Sequence, residues 1–233
     1  MNASAPHAPV RADGTLARQR LLDAALRLFA ENGYQKTSTR VIADSAGVNL
    51  GAISYYFGDK ARLYQAVFCE SFSDVLNSPD ITTARGCLPD FRTAGLGIEA
   101  ALAGFFRNFL QPLKLGEQVR LVMRLHFREL VEPSGALPEG VDEDIGALYF
   151  ALAELAAERL GIGATDPDAL RLAHAILGLA FHFFVTQDLV GHVSPELVAT
   201  PEAIDTLAER LATYAAGMLD AEVRRRQPTG SPS

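Results

Sequence analysis

Hydrogen-bonding and cationic side chains crowd the 24 residues from Thr37 to Lys60: Thr37, Ser38, Arg40, Asn49, Tyr55, Tyr56 and Lys60. None forms a nucleophile–base pair or a metal-ligand set. Their chemistry is recognition. The Arg40 guanidinium fork matches guanine O6 and N7 in a major groove. The same group can instead reach a phosphate, or pair with Asp44 four residues on. Asn49 can bridge adenine, and Leu50 and Ala52 can meet a thymine methyl. Gly51 lets the backbone come close. Thr37, Ser38, Tyr55, Tyr56 and Lys60 are candidate phosphate anchors, which fix register rather than sequence.

Such groups act together only if short helices hold them. Ser38 or Thr37 can cap a first helix with a side-chain oxygen. Val41, Ile42 and Ala46 are expected to supply its apolar face. Gly47 suits the left-handed conformation that ends many helices. Val48 plugs the turn, and Asn49 caps a second, short helix whose start is small and polar. This is a helix-turn-helix, the arrangement that lays its second helix in a major groove. Leu21, Ala25, Leu28 and Phe29 form the face of a preceding helix closed by Asn32-Gly33. Asp59 can cap a fourth helix carrying Leu63, Tyr64, Val67, Phe68 and Phe72, expected to link this head to the rest.

Beyond it the pattern stays helical, near 93–110, 116–131, 141–160, 167–189 and 202–223, with a loop at Ser78 to Asp90. Alternating patterns are nearly absent, so the expected class is all-α. The net charge of −7 divides into +3 over Arg11 to Tyr64 and −10 elsewhere, a basic head on an acidic body. Cys69 and Cys87 make neither a disulfide framework nor a zinc spacing. No secretory signal is expected, and the most apolar run, Ala173 to Thr186, is broken by His174 and His182. A cytoplasmic protein without a membrane partner is the expectation. Residues 1–14 read as a disordered arm and 224–233 as a disordered tail; Arg224-Arg225-Arg226 suits a helix C-terminus.

The stretch Thr15 to Phe68 resembles the DNA-binding domain of the TetR family of bacterial transcriptional regulators. The matching pattern is Ala24-Ala25-x-x-Leu28-Phe29-Ala30-x-x-Gly33-Tyr34, then Thr37-x-x-Arg40-x-Ile42-Ala43, Ala46-Gly47-Val48-x-x-Gly51 and Tyr56-Phe57-x-x-Lys60-x-x-Leu63-Tyr64. Ala52 to Lys60 resembles the CecR-like branch. The resemblance implies an N-terminal three-helix helix-turn-helix DNA-binding domain at 15–62, and a helical effector-binding and dimerisation domain at 63–223. It implies a homodimeric repressor on a palindromic operator of double-stranded DNA, released by a small-molecule effector that the sequence does not identify. Ser54 departs from the family, which mostly has a backbone-gripping Tyr there; Tyr55 or Tyr56 takes over that contact, or it is lost.

In this family the last two helices pair with those of a second copy. Leu177, Phe184, Ile204, Leu207, Leu211 and Met218 fit that interface, and fit an intramolecular core equally well. Phe105, Phe109, Met123, His126, Phe127, Tyr149, His174 and Phe181 can line an effector cavity, or fill a core with hydrogen-bonded histidines. An all-α enzyme would want paired Glu-x-x-His units. The chain has one reversed His126-x-x-Glu129, and no His-Glu-x-x-His, Gly-rich phosphate loop or nucleophile elbow. No catalytic residue, cofactor or metal is therefore expected. A DNA-binding architectural protein without an effector is the third class.

Overall fold

The computed structural model describes residues 10–82, 84–88, 94–137 and 143–227. Its helices are α1 Val10–Asn32, α2 Thr39–Ala46, α3 Gly51–Tyr56, α4 Lys60–Leu76, α5 Ala84–Cys87 and α6 Ile98–Leu110. They continue with α7 Glu117–Val131, α8 Glu143–Leu160, α9 Pro167–Val185, α10 Gln187–Val193 and α11 Pro201–Arg226. No strand occurs among the described residues, as the all-α expectation requires. Local chemistry sets the starts. Asp59 accepts from the Arg62 amide at 2.8 Å before α4, and Asp166 from the Asp168 amide at 2.8 Å before α9. Thr200 accepts from the Ala203 amide at 3.2 Å before α11. Pro167 and Pro201 follow their caps, where a missing N–H costs nothing.

Several boundaries differ from expectation. Helix α1 begins at Val10, so residues 10–14 are helical rather than part of an arm. After Pro9 the strongest breaker is Gly14, whose cost of about 1 kcal/mol a long helix absorbs. Helix α11 likewise runs through Arg226, because Arg225 and Arg226 pair with Asp168 and Glu222. Residues 1–9 and 228–233 of the two expected tails lie outside the described residues. The expected 167–189 helix breaks at Thr186, whose hydroxyl donates to the His182 carbonyl at 2.7 Å while its backbone leaves helical geometry.

Apolar packing makes two cores. One joins Leu21, Leu26 and Phe29 of α1, Ile42 of α2, Ile53 of α3 and Leu63, Tyr64, Val67 and Phe68 of α4. The other is built from α6, α8, α9 and α11 around Phe105, Phe106, Leu152, Ile176, Leu177 and Phe184. Helix α4 thus packs with the head beyond residue 62. Helix α7 divides its faces: Leu121, Val122 and Leu125 belong to the first core, Phe127 to the second. The direct bridge between head and body is therefore α7, where the sequence pointed to α4. Helix α9 is long and apolar enough to cross a membrane by composition, but buries Ala169, Ala173, Ile176, Leu177, Ala180 and Phe184 in the second core.

Candidate DNA-binding surface

Ser38 caps α2, its Oγ accepting from the Val41 amide at 3.2 Å. Thr37 does something else. It is 3% exposed, and its hydroxyl donates to the carbonyls of Gly33 at 2.8 Å and Leu28 at 3.1 Å. The expectation of Thr37 as a phosphate anchor is corrected: the side chain is consumed in holding α2 against α1. The apolar face of α2 is Ile42, Ala43 and Ala46, while Val41 points outward at 50% exposure. Gly47 has φ 63°, ψ 41°, and its amide donates to the Asp44 carbonyl at 3.2 Å. The Val48 amide closes onto the Ala43 carbonyl at 3.0 Å, which satisfies the end of α2 as it turns into α3.

Asn49 enters α3 with its Oδ1 accepting from the Gly51 amide at 2.8 Å. Its side-chain NH2 group remains as the donor for an outside acceptor. Ile53 and Phe57 turn inward, which leaves Leu50, Gly51, Ser54 and Tyr55 outside, with Ala52 at the margin. Tyr55 is the most exposed large side chain here, at 82%. Tyr56 turns back: a Cβ on Gly14 of α1 would lie 3.3 Å from its hydroxyl. The two rings meet edge to face, centroids 4.8 Å apart. Of the two tyrosines beside Ser54, Tyr55 thus stands at the outer face.

Arg40 is exposed, and among the described residues no carboxylate pairs with it, Asp44 included. Lys60 opens α4 with its Nζ 4.2 Å from the centroid of the Tyr34 ring, and loss of solvation holds its pKa below the ordinary lysine range. Lys36 and Arg62 are exposed cations flanking the same elements, and the sequence reading missed them. Their only sequence signal was charge beside a motif. The start and outer face of α3 thus combine a low apolar profile with an amide donor and a phenol, while the neighbouring elements expose the Arg40 guanidinium and further cations. Together they can read base edges and grip phosphates.

The eight residues expected around an effector cavity fall into separate places. Phe105, Phe109, Phe127 and Phe181 form one aromatic cluster with Phe184; Phe127 lies 4.8 Å from Phe181 and 4.7 Å from Phe184. Met123 touches both cores. His126, about 100° around α7 from Phe127, points to the head instead. It stacks between Phe68 and Phe72, each at 3.7 Å. Burial depresses its pKa to about 3, against the opposing pull of the Val122 carbonyl at 3.3 Å. Tyr149 and His174 pair at 4.4 Å between α8 and α9, with His174 exposed. A surface cleft of about 380 Å³ between α9 and α11 has a different lining, including Asp168, Arg171, Leu172, Met218, Glu222 and Arg225.

The expected dimer contacts are corrected in the same way. Leu177, Phe184, Ile204, Leu207 and Leu211 are all buried within the chain, and only Met218 is partly exposed. The intramolecular alternative holds for these five, because α9 and α11 turn their large residues into the second core. Their outer faces carry Ala175, Gly178 and His182 on α9, and Tyr214, Gly217 and Ala221 on α11.

Comparison with known proteins accounts for both parts. Residues 21–67 match the bacterial regulatory proteins of the tetR family, and residues 98–221 match the C-terminal domain of the HTH-type transcriptional dual regulator CecR. The chain is 31% identical over 173 residues to the dual regulator CecR of Shigella flexneri, covering 72% of this chain and 76% of that protein. It is 45% identical over 58 residues to the transcriptional regulator AcrR of Shigella flexneri, covering 25% and 27%. A TetR-like transcriptional regulator from Rhodococcus sp. RHA1 has the same fold, with a TM-score of 0.55 at 21% identity, covering 86% of this chain and 96% of that one. The helix-turn-helix and the helical body are thus matched over most of the sequence, and the chain belongs to the TetR family of bacterial transcriptional regulators, with a C-terminal domain of the CecR type.

Proposed function

We propose that this regulator is a repressor that binds a palindromic operator as a homodimer and leaves it when a small molecule binds the body. The observation that carries the reading is the outer face of α3, where Leu50 and Gly51 stand clear with Ala52 at the margin, together with an exposed and unpaired Arg40 on α2. Arg40, Asn49, Leu50, Gly51 and Ala52 contact bases. Ser38, Tyr55 and Lys60 contact the backbone, joined by Lys36 and Arg62, while Tyr56 packs back toward α1. The reading unit spans the head through α4, and the remaining helices form the effector-binding and dimerisation part.

The dimer uses the outer faces of α9 and α11, where Gly178, Gly217 and Ala221 allow close helix approach; a two-fold axis then presents two heads to a palindrome. The effector acts on the Phe105–Phe109–Phe127–Phe181 cluster, the part of the expected pocket that stays together. It releases DNA only by preferring the conformation that fits DNA poorly. The protein works in the cytoplasm, without catalysis. Selection from a random duplex pool at near-physiological salt tests the reading. Recovery of a palindrome is expected; recovery of no motif, with binding that vanishes as salt rises, would overturn it.

A further inference from the structure

Besides its apolar contacts and the His126 stack, helix α7 makes polar contacts with the head at three places. Near its start Glu117 pairs with Arg27 of α1 at 2.9 Å. Near its end Arg128 donates to the main-chain carbonyl of Glu31, in the last turn of α1, at 3.1 Å. The third is a carboxylate that joins α4 to the segment after α7, whose Ala136 and Leu137 also pack on the head core. Glu129 Oε2 accepts from the hydroxyl of Tyr64 on α4 at 2.6 Å. Its Oε1 accepts from the amide of Ser134 at 3.0 Å and from that residue's hydroxyl at 2.9 Å, in the segment that follows α7.

Tyr64 is 1% exposed and meets Tyr34 edge to face at 5.0 Å, and Tyr34 is the ring beneath Lys60. Two residues before Glu129, Phe127 stacks on Phe184 of the body. One turn of α7 therefore grips the body with one face and the base of the head with another. A carboxylate accepting from both α4 and the following segment has little freedom to rotate, since each oxygen is claimed from a different direction.

We infer that Glu129 is a positioning residue for DNA recognition: by tying the end of α7, which Phe127 anchors in the body, to Tyr64 of the head, with Ser134 holding the carboxylate in place, it fixes the angle at which the body presents the head, and so the half-site spacing that a dimer accepts. The inference rests on the dimeric reading above. It does not require Glu129 to touch DNA. In Glu129→Gln the charge is lost and one acceptor position becomes an NH2 donor, which Tyr64 can meet only by turning its hydroxyl to accept, so the short charge-assisted bond is replaced by a weaker neutral one. Tyr64→Phe removes the same contact from the other side by a single atom.

The test uses the full chain and duplexes carrying the wild-type half-site at every spacer length. The wild-type protein is expected to prefer one spacing sharply. Glu129→Gln and Tyr64→Phe should keep the half-site sequence while the preference for the best spacing over a one-base-pair shift falls about threefold or more. The double variant should lose no more than either single one. Ser134→Ala, which removes the hydroxyl's bond to Glu129 and the one it accepts from the Ala136 amide at 3.0 Å on a partly exposed residue, should show the same trend and decides the matter if the other variants unfold. Unchanged spacing profiles in folded variants would overturn the inference alone. A wild-type protein that selects no paired half-sites would overturn the dimeric reading, and this inference with it.

Discussion

Thr37 donates its hydroxyl to the carbonyl of Gly33 at 2.8 Å, which ties the entry of α2 to the end of α1 from inside the head. Thr37→Val keeps the shape and removes the donor, leaving buried carbonyls short of a partner. A loss of about 1–3 kcal/mol in unfolding free energy is expected. Urea titration reads that loss. Half-site sequence preference should stay the same, because the side chain faces the core; a changed preference with unchanged stability would return Thr37 to the DNA surface.

Gly51 separates folding from recognition. A Cβ there would meet only Asn49 Oδ1, at 3.4 Å, an ordinary contact, and the backbone is not left-handed. The fold does not need this glycine. Gly51→Ala should leave the melting temperature unchanged or raise it slightly, since alanine favours helix by up to about 1 kcal/mol. Operator affinity should drop roughly tenfold, about 1.4 kcal/mol, because a methyl group holds α3 off the groove. Fluorescence anisotropy on a labelled operator measures this, and equal affinity would remove the close approach from the account.

Arg40 and Lys60 should differ in kind. Arg40→Ala should cost about 1–3 kcal/mol on the operator and relax preference at one base step per half-site. Lys60→Ala should weaken all duplexes alike and reduce the slope of log K against log salt by about one. Titrations on operator and random DNA at several salt concentrations distinguish them. Equal losses of Arg40→Ala on both duplexes would make it a phosphate contact.

The helix-turn-helix was legible in the sequence because its signals are local: a cap, a left-handed glycine and an apolar plug act within a few residues of one another. What was illegible depends on which way a helical face turns. A stripe such as Leu177, Phe184, Leu207 and Leu211 has one periodicity whether it meets its own chain or a second copy, and here it is core. His126 and Phe127 look like neighbours in one pocket, yet 100° of helix sends one to each core. The contact between Tyr64 and Glu129 joins residues 65 positions apart and leaves no pattern in sequence.

The outer faces of α9 and α11 give a separable pair of outcomes. A Cβ on Gly217 would meet nothing within 4 Å, so the single chain tolerates Gly217→Glu. In a dimer packed on this face the substitution buries a charge, and size-exclusion chromatography with light scattering should show monomers of ordinary thermal stability. Leu211→Ala, buried at 5% exposure, should instead cost about 2–5 kcal/mol of stability. A Gly217→Glu protein that remains dimeric would move the interface elsewhere.

His126 should make the head–α7 junction sensitive to acid. Its ordinary pKa is 6.5, and between Phe68 and Phe72 burial lowers it to about 3. Between these values the unfolded chain binds the proton and the folded chain does not. The stabilising effect of a neutral His126 is therefore complete above about pH 6.5 and is lost as pH falls toward 3, by up to ~1.4 kcal/mol per pH unit. His126→Phe keeps an aromatic ring in the stack and cannot titrate. Urea unfolding of both proteins from pH 7 to 4.5 isolates the contribution, since all other titrating groups are shared. The wild-type protein should lose stability relative to the variant as pH falls. A difference independent of pH would mean that the imidazole is already hydrated, and that the stack opens more readily than its 3.7 Å spacing suggests.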